Sequence, residues 1–98
     1  MRVRLSKYPA LKRIGGAVSI GTVGDQPAGV ARTGQNTYVA FSLLCPHMGV
    51  EVKKSGTGWL CPAHFSRFTG SGGFISGPAG RSLFPMACKR TGGFLVVG

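Results

Sequence analysis

The 98 residues carry twelve Lys and Arg against two acids, Asp25 and Glu51, a formal net charge of +10. That length holds one domain, here read as residues 1–98, and a core so small often leans on a metal or disulfides. The charge points to an acidic partner surface, an anionic membrane surface or nucleic acid. The cations are scattered from Arg2 to Arg90 in short doublets, with no run of five or six, so a basic interaction tail is not expected.

Other classes fall away on composition. No segment approaches 18 apolar residues, so no membrane span is expected in this chain. The basic start, Met1 to Gly16, lacks the apolar stretch of a signal peptide. Two acids do not readily supply a paired-carboxylate hydrolase site. No phosphate-binding G-x-x-x-x-G-K-[ST] loop is present. Tyr8 and Tyr38 among dispersed cations make no stacking platform, so nucleic acid is not the expected partner. Three cysteines suggest no disulfide pair and a reducing, cytoplasmic setting, with a periplasmic or membrane-associated one if a signal or anchor has been removed.

Taken in order, residues 1–15 read as irregular or as an edge strand. Gly16–Ile20 and Gly29–Arg32 are short strands, separated by turn chemistry at Gly24, Asp25 and Pro27. Thr33–Asn36 is a hairpin turn, and Thr37–Leu44, rich in β-formers, is the strongest strand. Val50–Lys54 alternates apolar and charged residues, as a half-buried strand does. Ser55–Gly58 turns the chain into Trp59 and Leu60. Phe65–Gly80, with six glycines and prolines, reads as loop. Ser82–Phe84 and Met86–Cys88 suggest a strand interrupted by Pro85, and Phe94–Val97 a final strand after a Gly-Gly turn. No helical pattern exceeds two turns, so the expectation is an all-β fold of short strands.

The strongest strand delivers the chain into Cys45-Pro46-His47-Met48-Gly49. After thirteen intervening residues, 48–60, comes Cys61-Pro62-Ala63-His64. All the histidine and two of the three cysteines lie in these two stretches. Two thiolates and two imidazoles are a metal-ligand set. Two occupants fit: tetrahedral zinc, or a [2Fe–2S] cluster with one iron on two Cys and the other on two His. Classical zinc fingers pair Cys with Cys and His with His and carry a helix, unlike the mixed pairs here. Both histidines are taken by the metal in either case, which leaves no base for a Ser or Cys nucleophile.

The two stretches resemble the boxes of the Rieske iron–sulfur family. Its first box, Cys-x-His-x-Gly, is matched by Cys45 to Gly49. Its second, Cys-Pro-x-His-Gly-Ser-x-Phe/Tyr, is matched by Cys61 to His64 followed by Phe65, Ser66, Arg67 and Phe68. Gly77-Pro78-Ala79-Gly80 is similar to the family's proline loop, a lid over the cluster. The likeness covers roughly Gly16 to Gly98. It implies a Rieske-like fold with a cluster-binding subdomain at about 44–80 on a β-sandwich base. It also implies a Rieske-type [2Fe–2S] cluster with Cys45 and Cys61 on the inner iron, His47 and His64 on the outer one, and Ser66 donating to a bridging sulfide.

The implied function is one-electron transfer, with no catalysis by this chain alone. The partners would be a reductase and a terminal oxidase or oxygenase, presenting acidic docking surfaces. Three departures bear on this. Val50 and Ala63 stand where many respiratory members carry a second pair of cysteines, so the inter-loop disulfide is missing. This resembles the ferredoxin-like and oxygenase branch. Phe68 replaces a Tyr that donates to a ligand sulfur, and Phe65 replaces a Gly. One donor of two to cluster sulfur, without the disulfide, implies an intermediate or low potential, below that of disulfide-bearing members. The missing disulfide favours a ferredoxin or small electron-transfer subunit. The basic charge keeps open the soluble head domain of a quinol-oxidising cytochrome bc-type complex, and a structural zinc module of a nucleic-acid-binding protein is the alternative of another class. Met48 and Phe65 suggest an apolar collar, Trp59 core packing beneath the site, and Cys88 a small buried hydrophobe.

Overall fold

The computed structural model describes residues 1–46 and 48–98. Among the described residues, eleven strands form three antiparallel sheets. Their ranges are β1 (Arg2–Arg4), β2 (Ala17–Val23), β3 (Gln26–Arg32), β4 (Tyr38–Ser42), β5 (Lys53–Ser55), β6 (Gly58–Leu60), β7 (Arg67–Phe68), β8 (Phe74–Ser76), β9 (Pro85–Met86), β10 (Cys88–Thr91) and β11 (Phe94–Val97). The first sheet has the order β1-β11-β10, the second β2-β3-β4-β9 and the third β5-β6-β7-β8.

The two-residue period of a strand explains how the sheets stack. Along β3 and β4, Ala28, Val30 and Ala40 face one core, shared with Val3, Leu95 and Val97 of the first sheet. Ala31 and Phe41 on the same strands face a second core. There they meet Trp59 and Phe68 of the third sheet, together with Cys45 and Cys61. The middle sheet is therefore buried on both faces, and the order of layers is first sheet, core, middle sheet, core, third sheet. Phe41 and Trp59 meet edge to face at 5.9 Å across the second core.

Most of the expected strands form, with shifted ends. The loop expected at Phe65–Gly80 holds two short strands, β7 and β8. Their pairing is irregular at Arg67/Phe68, and a two-residue strand offers too few alternating positions to be read against six Gly and Pro. The strand expected at Val50–Lys54 begins later, at Lys53. Only one bridge, Leu44 to Glu51, precedes it, because Val50 is committed to closing the Cys45 loop. Ser82–Phe84 forms no strand, although Leu83 is buried. The basic start supplies β1, an edge strand on β11, and then two 3₁₀ turns, Leu5–Lys7 and Pro9–Lys12.

Gly29 marks the tightest contact between the middle sheet and the second core. A Cβ there would lie 2.7 Å from Phe41 Cε2 and 2.9 Å from Leu43 Cδ2. Gly29→Ala is expected to lower stability by about 1–3 kcal/mol through overpacking, read as a lower denaturant midpoint at unchanged slope.

Candidate metal centre

Phe41 and Leu43 anchor the segment that carries the first loop. Leu43 N–H donates to the Pro27 carbonyl at 2.8 Å, and Val52 N–H donates to the Leu43 carbonyl at 2.7 Å. The Ser42 hydroxyl accepts from Leu44 N–H at 3.2 Å, bending the chain as it leaves β4. The Cys45 loop is thus the tip of a hairpin whose stem is pinned on the second core.

Two hydrogen bonds shape that tip. Cys45 N–H donates to the Val50 carbonyl at 2.7 Å, and Gly49 N–H donates to the Cys45 carbonyl at 2.8 Å. The second loop repeats the pattern between β6 and β7. Cys61 N–H donates to the Ser66 carbonyl, and Phe65 N–H to the Cys61 carbonyl, both at 2.8 Å. In each loop the residue four after the cysteine takes a positive φ, +71° at Gly49 and +62° at Phe65. The two loops are the same turn built twice. Each presents one cysteine at its base, with a histidine two residues later in the first loop and three later in the second.

The second loop keeps the family turn despite its missing glycine. Phe65 is the one non-glycine residue with positive φ among the described residues, and its side chain is 69% exposed. Met48, at 65% exposure, projects from the first loop. Both side chains face solvent rather than the core, as an apolar collar requires. Phe68 is buried, pairs with Trp59 across β6 and β7, and meets the Phe74 ring edge to face at 6.4 Å. It contributes packing where a Tyr would add a hydroxyl donor.

Cys45 and Cys61 are buried to 1% and 0% exposure, are free thiols, and share the second core with Trp59 beneath them. Trp59 donates its indole N–H to the Gly70 carbonyl at 3.1 Å. His64 is half-buried. His47 lies outside the described residues. Among the described residues no three His, Cys, Asp or Glu side chains form a metal cage, so the expected quartet stands as two buried thiols, one half-buried imidazole and a fourth residue not described. The donor chemistry suits a Rieske cluster: two thiols that burial and loop geometry hold on facing turns, with soft sulfur ligands innermost.

Ser66 is fully buried, and its hydroxyl oxygen accepts from the Ala79 N–H at 3.0 Å. A hydroxyl has one donor besides its acceptor sites, so this bond leaves the Ser66 proton available to a further acceptor. The partner, Ala79, lies in the Gly77–Gly80 segment. The segment folds over the second loop, with Gly77 at φ +104° and Gly80 at φ +70°. A Cβ on Gly77 would stand 2.5 Å from Ser66 Cα and 2.9 Å from Ser66 Oγ. The lid therefore rests directly on Ser66. The Ser66–Ala79 bond joins residues thirteen apart in sequence, a link that motif reading has no means of finding. Cys88 is half-buried against the first core, and burial pushes its thiol pKa up.

Two substitutions test this geometry. Phe65→Gly keeps the left-handed conformation and relieves the cost of about 1–2 kcal/mol that it imposes on an L-residue, so the cluster-loaded protein is expected to gain about 1 kcal/mol in denaturant unfolding. Gly77→Ala cannot keep the lid seated, and faster hydrogen exchange at the Ala79 amide is the expected result.

The Rieske [2Fe-2S] domain family model matches residues 7–87. The Rieske subunit of the mitochondrial cytochrome b-c1 complex of Schizosaccharomyces pombe is 31% identical over 85 residues, covering 84% of this chain and 37% of that protein. The carotenoid phi-ring synthase of Chlorobaculum tepidum is 38% identical over 74 residues, covering 74% of this chain and 11% of that protein. The chain thus spans little more than a third of the one relative and about a tenth of the other. Among solved structures, the plasma membrane Rieske protein PetC3 from Synechocystis superposes with a TM-score of 0.79 at 24% identity, covering 100% of this chain and 98% of that one. The twin turns, the buried cysteine pair and these matches agree: the chain belongs to the Rieske [2Fe-2S] family, whose Rieske-type cluster carries single electrons.

Proposed function

We propose that this chain is one Rieske domain, residues 1–98, working as a ferredoxin or small electron-transfer subunit of an oxygenase or oxidoreductase. The observation that carries the reading is the pair of identical turns holding Cys45 and Cys61 buried on the same core. In this reading Cys45 and Cys61 hold the inner iron and His47 and His64 the outer iron. The cluster, once bound, supplies the redox chemistry: it takes up and releases one electron.

The residues around it set how readily that happens. Ser66, fixed by Ala79, aims its remaining proton at a sulfide. A donor to sulfur favours the reduced state, in which the sulfur bears more negative charge. Phe68 offers no such donor. The missing disulfide supports the ferredoxin or small-subunit placement, because Val50 packs against the core and Ala63 is exposed where the extra cysteines would sit. With Cys45 and Cys61 as ligands, Cys88 has no second cysteine in the chain to pair with, as in a protein of a reducing compartment such as the cytoplasm. Among the described residues no helix is long and apolar enough to cross a membrane. Met48 and Phe65 make an apolar rim on which a redox partner with an acidic border would dock.

A second reading, the head domain of a quinol-oxidising complex, is favoured by the identity with the Schizosaccharomyces pombe subunit. The potential separates the two. Rieske centres span about −150 to +300 mV, and the ferredoxin reading expects a value in the lower part of that range. Protein-film voltammetry giving a potential near the top would favour the quinol-oxidising reading instead. Ser66→Ala should lower the potential by some tens of millivolts, on the scale of 59 mV per tenfold change for one electron. Purified protein should be red-brown, contain equal iron and acid-labile sulfide, and give a rhombic electron paramagnetic resonance signal on reduction. Cys45→Ser or Cys61→Ser should abolish all three. A colourless protein holding zinc would overturn the assignment.

A further inference from the structure

The two ends of the molecule differ in charge. Of the twelve Lys and Arg, only Lys53, Lys54, Arg67 and Arg81 belong to the segment that carries the cluster loops. The other eight lie on the first two sheets and the turns joining them, where Asp25 is the sole acid. The one ion pair among the described residues, Lys53 to Glu51 at 3.6 Å, is at the cluster end. No carboxylate among the described residues cancels the charge of the first sheet.

The outer face of that sheet is ordered by its register. Arg2, Val96 and Lys89 stand in one row across β1, β11 and β10, and Arg4, Phe94 and Thr91 in the next. Val3, Leu95 and Val97, on the opposite face, are buried, so these two rows point outward. The central strand therefore carries a short apolar column, Phe94 and Val96, with Val96 41% exposed. Arginines border it on one side, and Lys89 and Thr91 on the other. The guanidinium carbons of Arg2 and Arg4 lie 4.6 and 5.3 Å from the Phe94 ring centroid. Beyond Arg4 a groove runs on past Lys12 and Tyr38 to Arg90. Arg90 is anchored on neutral acceptors, the Gly92 carbonyl at 3.0 Å and Asn36 Oδ1 at 2.9 Å. These bonds fix its position without cancelling its charge.

We infer that the outer face of the β1-β11-β10 sheet lies on the headgroup layer of an anionic bilayer. An interfacial surface combines a shallow apolar strip with cations at the level of the phosphates, and near an anionic leaflet each Lys or Arg adds attraction. The face is the outer surface of a sheet, and its apolar column is bordered by Arg2 and Arg4 on one side and Lys89 on the other. Nucleic acid fits less well. Phe94 is the only aromatic ring in the outward rows and already lies against Arg2 and Arg4, and one such ring makes no stacking platform for bases.

The layer order gives this contact a consequence. Two sheet-to-sheet spacings of about 10 Å each separate the face from the third sheet. A bilayer on the first sheet leaves the Cys45 and Cys61 loops pointing into the aqueous phase, open to a partner. The orientation rests on the cluster assignment, whereas binding to lipid does not.

The test is co-sedimentation of the full, cluster-loaded chain with phosphatidylcholine vesicles, with and without one-third phosphatidylglycerol, at physiological ionic strength. Binding is expected only to the anionic vesicles. The pair Arg2→Glu/Arg4→Glu should weaken it by roughly tenfold or more, and Val96→Ser should weaken it less. The pair Lys53→Glu/Lys54→Glu changes net charge equally at the cluster end and should leave most of the binding intact. Circular dichroism and the visible spectrum confirm that each variant is folded and loaded. Equal loss from both charge-reversed pairs would show attraction by overall charge and overturn the proposal. So would binding no tighter to anionic than to neutral vesicles. Retention on immobilised polyglutamate through Arg2 and Arg4, without vesicle binding, would assign the face to an acidic protein instead.

Discussion

The site depends on a hydrogen-bonded turn that appears twice. In each copy a buried cysteine donates its N–H five residues forward and receives an N–H from four residues forward. That pair of bonds closes only if the fourth residue turns left-handed. It places each thiol inward, on the core with Trp59, while the tip projects outward. The half-buried His64 occupies that tip in the second loop. Soft sulfur inside and imidazole outside is the division of ligands that a Rieske cluster uses.

Phe65 shows how strongly the turn is enforced. A glycine would take the left-handed conformation without strain, yet the chain keeps the same geometry with an aromatic residue in that place. The surrounding bonds over-determine the backbone, which is how strained residues persist at functional sites. The strain coincides with an exposed apolar side chain at the tip, as Met48 is exposed on the other loop. Backbone strain and exposed apolar surface are thus joined in one residue.

The lid ties the loops to the rest of the third sheet. Gly77 lies against Ser66 because it lacks a Cβ, and Ala79 uses its amide to fix the Ser66 hydroxyl. Ser66 is therefore positioned by a segment whose own glycines make it look structureless in sequence. The layers differ in how charge is compensated: eight of the twelve cations lie on the first two sheets and the turns joining them, four lie on the segment with the cysteine loops, and the one ion pair among the described residues is in that segment.

Much of this was legible from the residues. Cys45, His47, Cys61, His64 and Ser66 stand at spacings specific enough to indicate the family, and β-branched and aromatic runs announced β4 and β11. These signals are local: ligand type, spacing and strand propensity are written in consecutive residues. The tertiary structure decided the rest. It showed that the two loops are one turn repeated, that Phe65 bears the positive φ, that β7 and β8 lie within the glycine-rich stretch, and that Ala79 holds Ser66. It also placed Arg2, Arg4 and Lys89 on one outward sheet face. Each of these rests on hydrogen bonds or packing between residues far apart in the chain, and a pattern of neighbours carries no information about which distant backbone group will complete a bond.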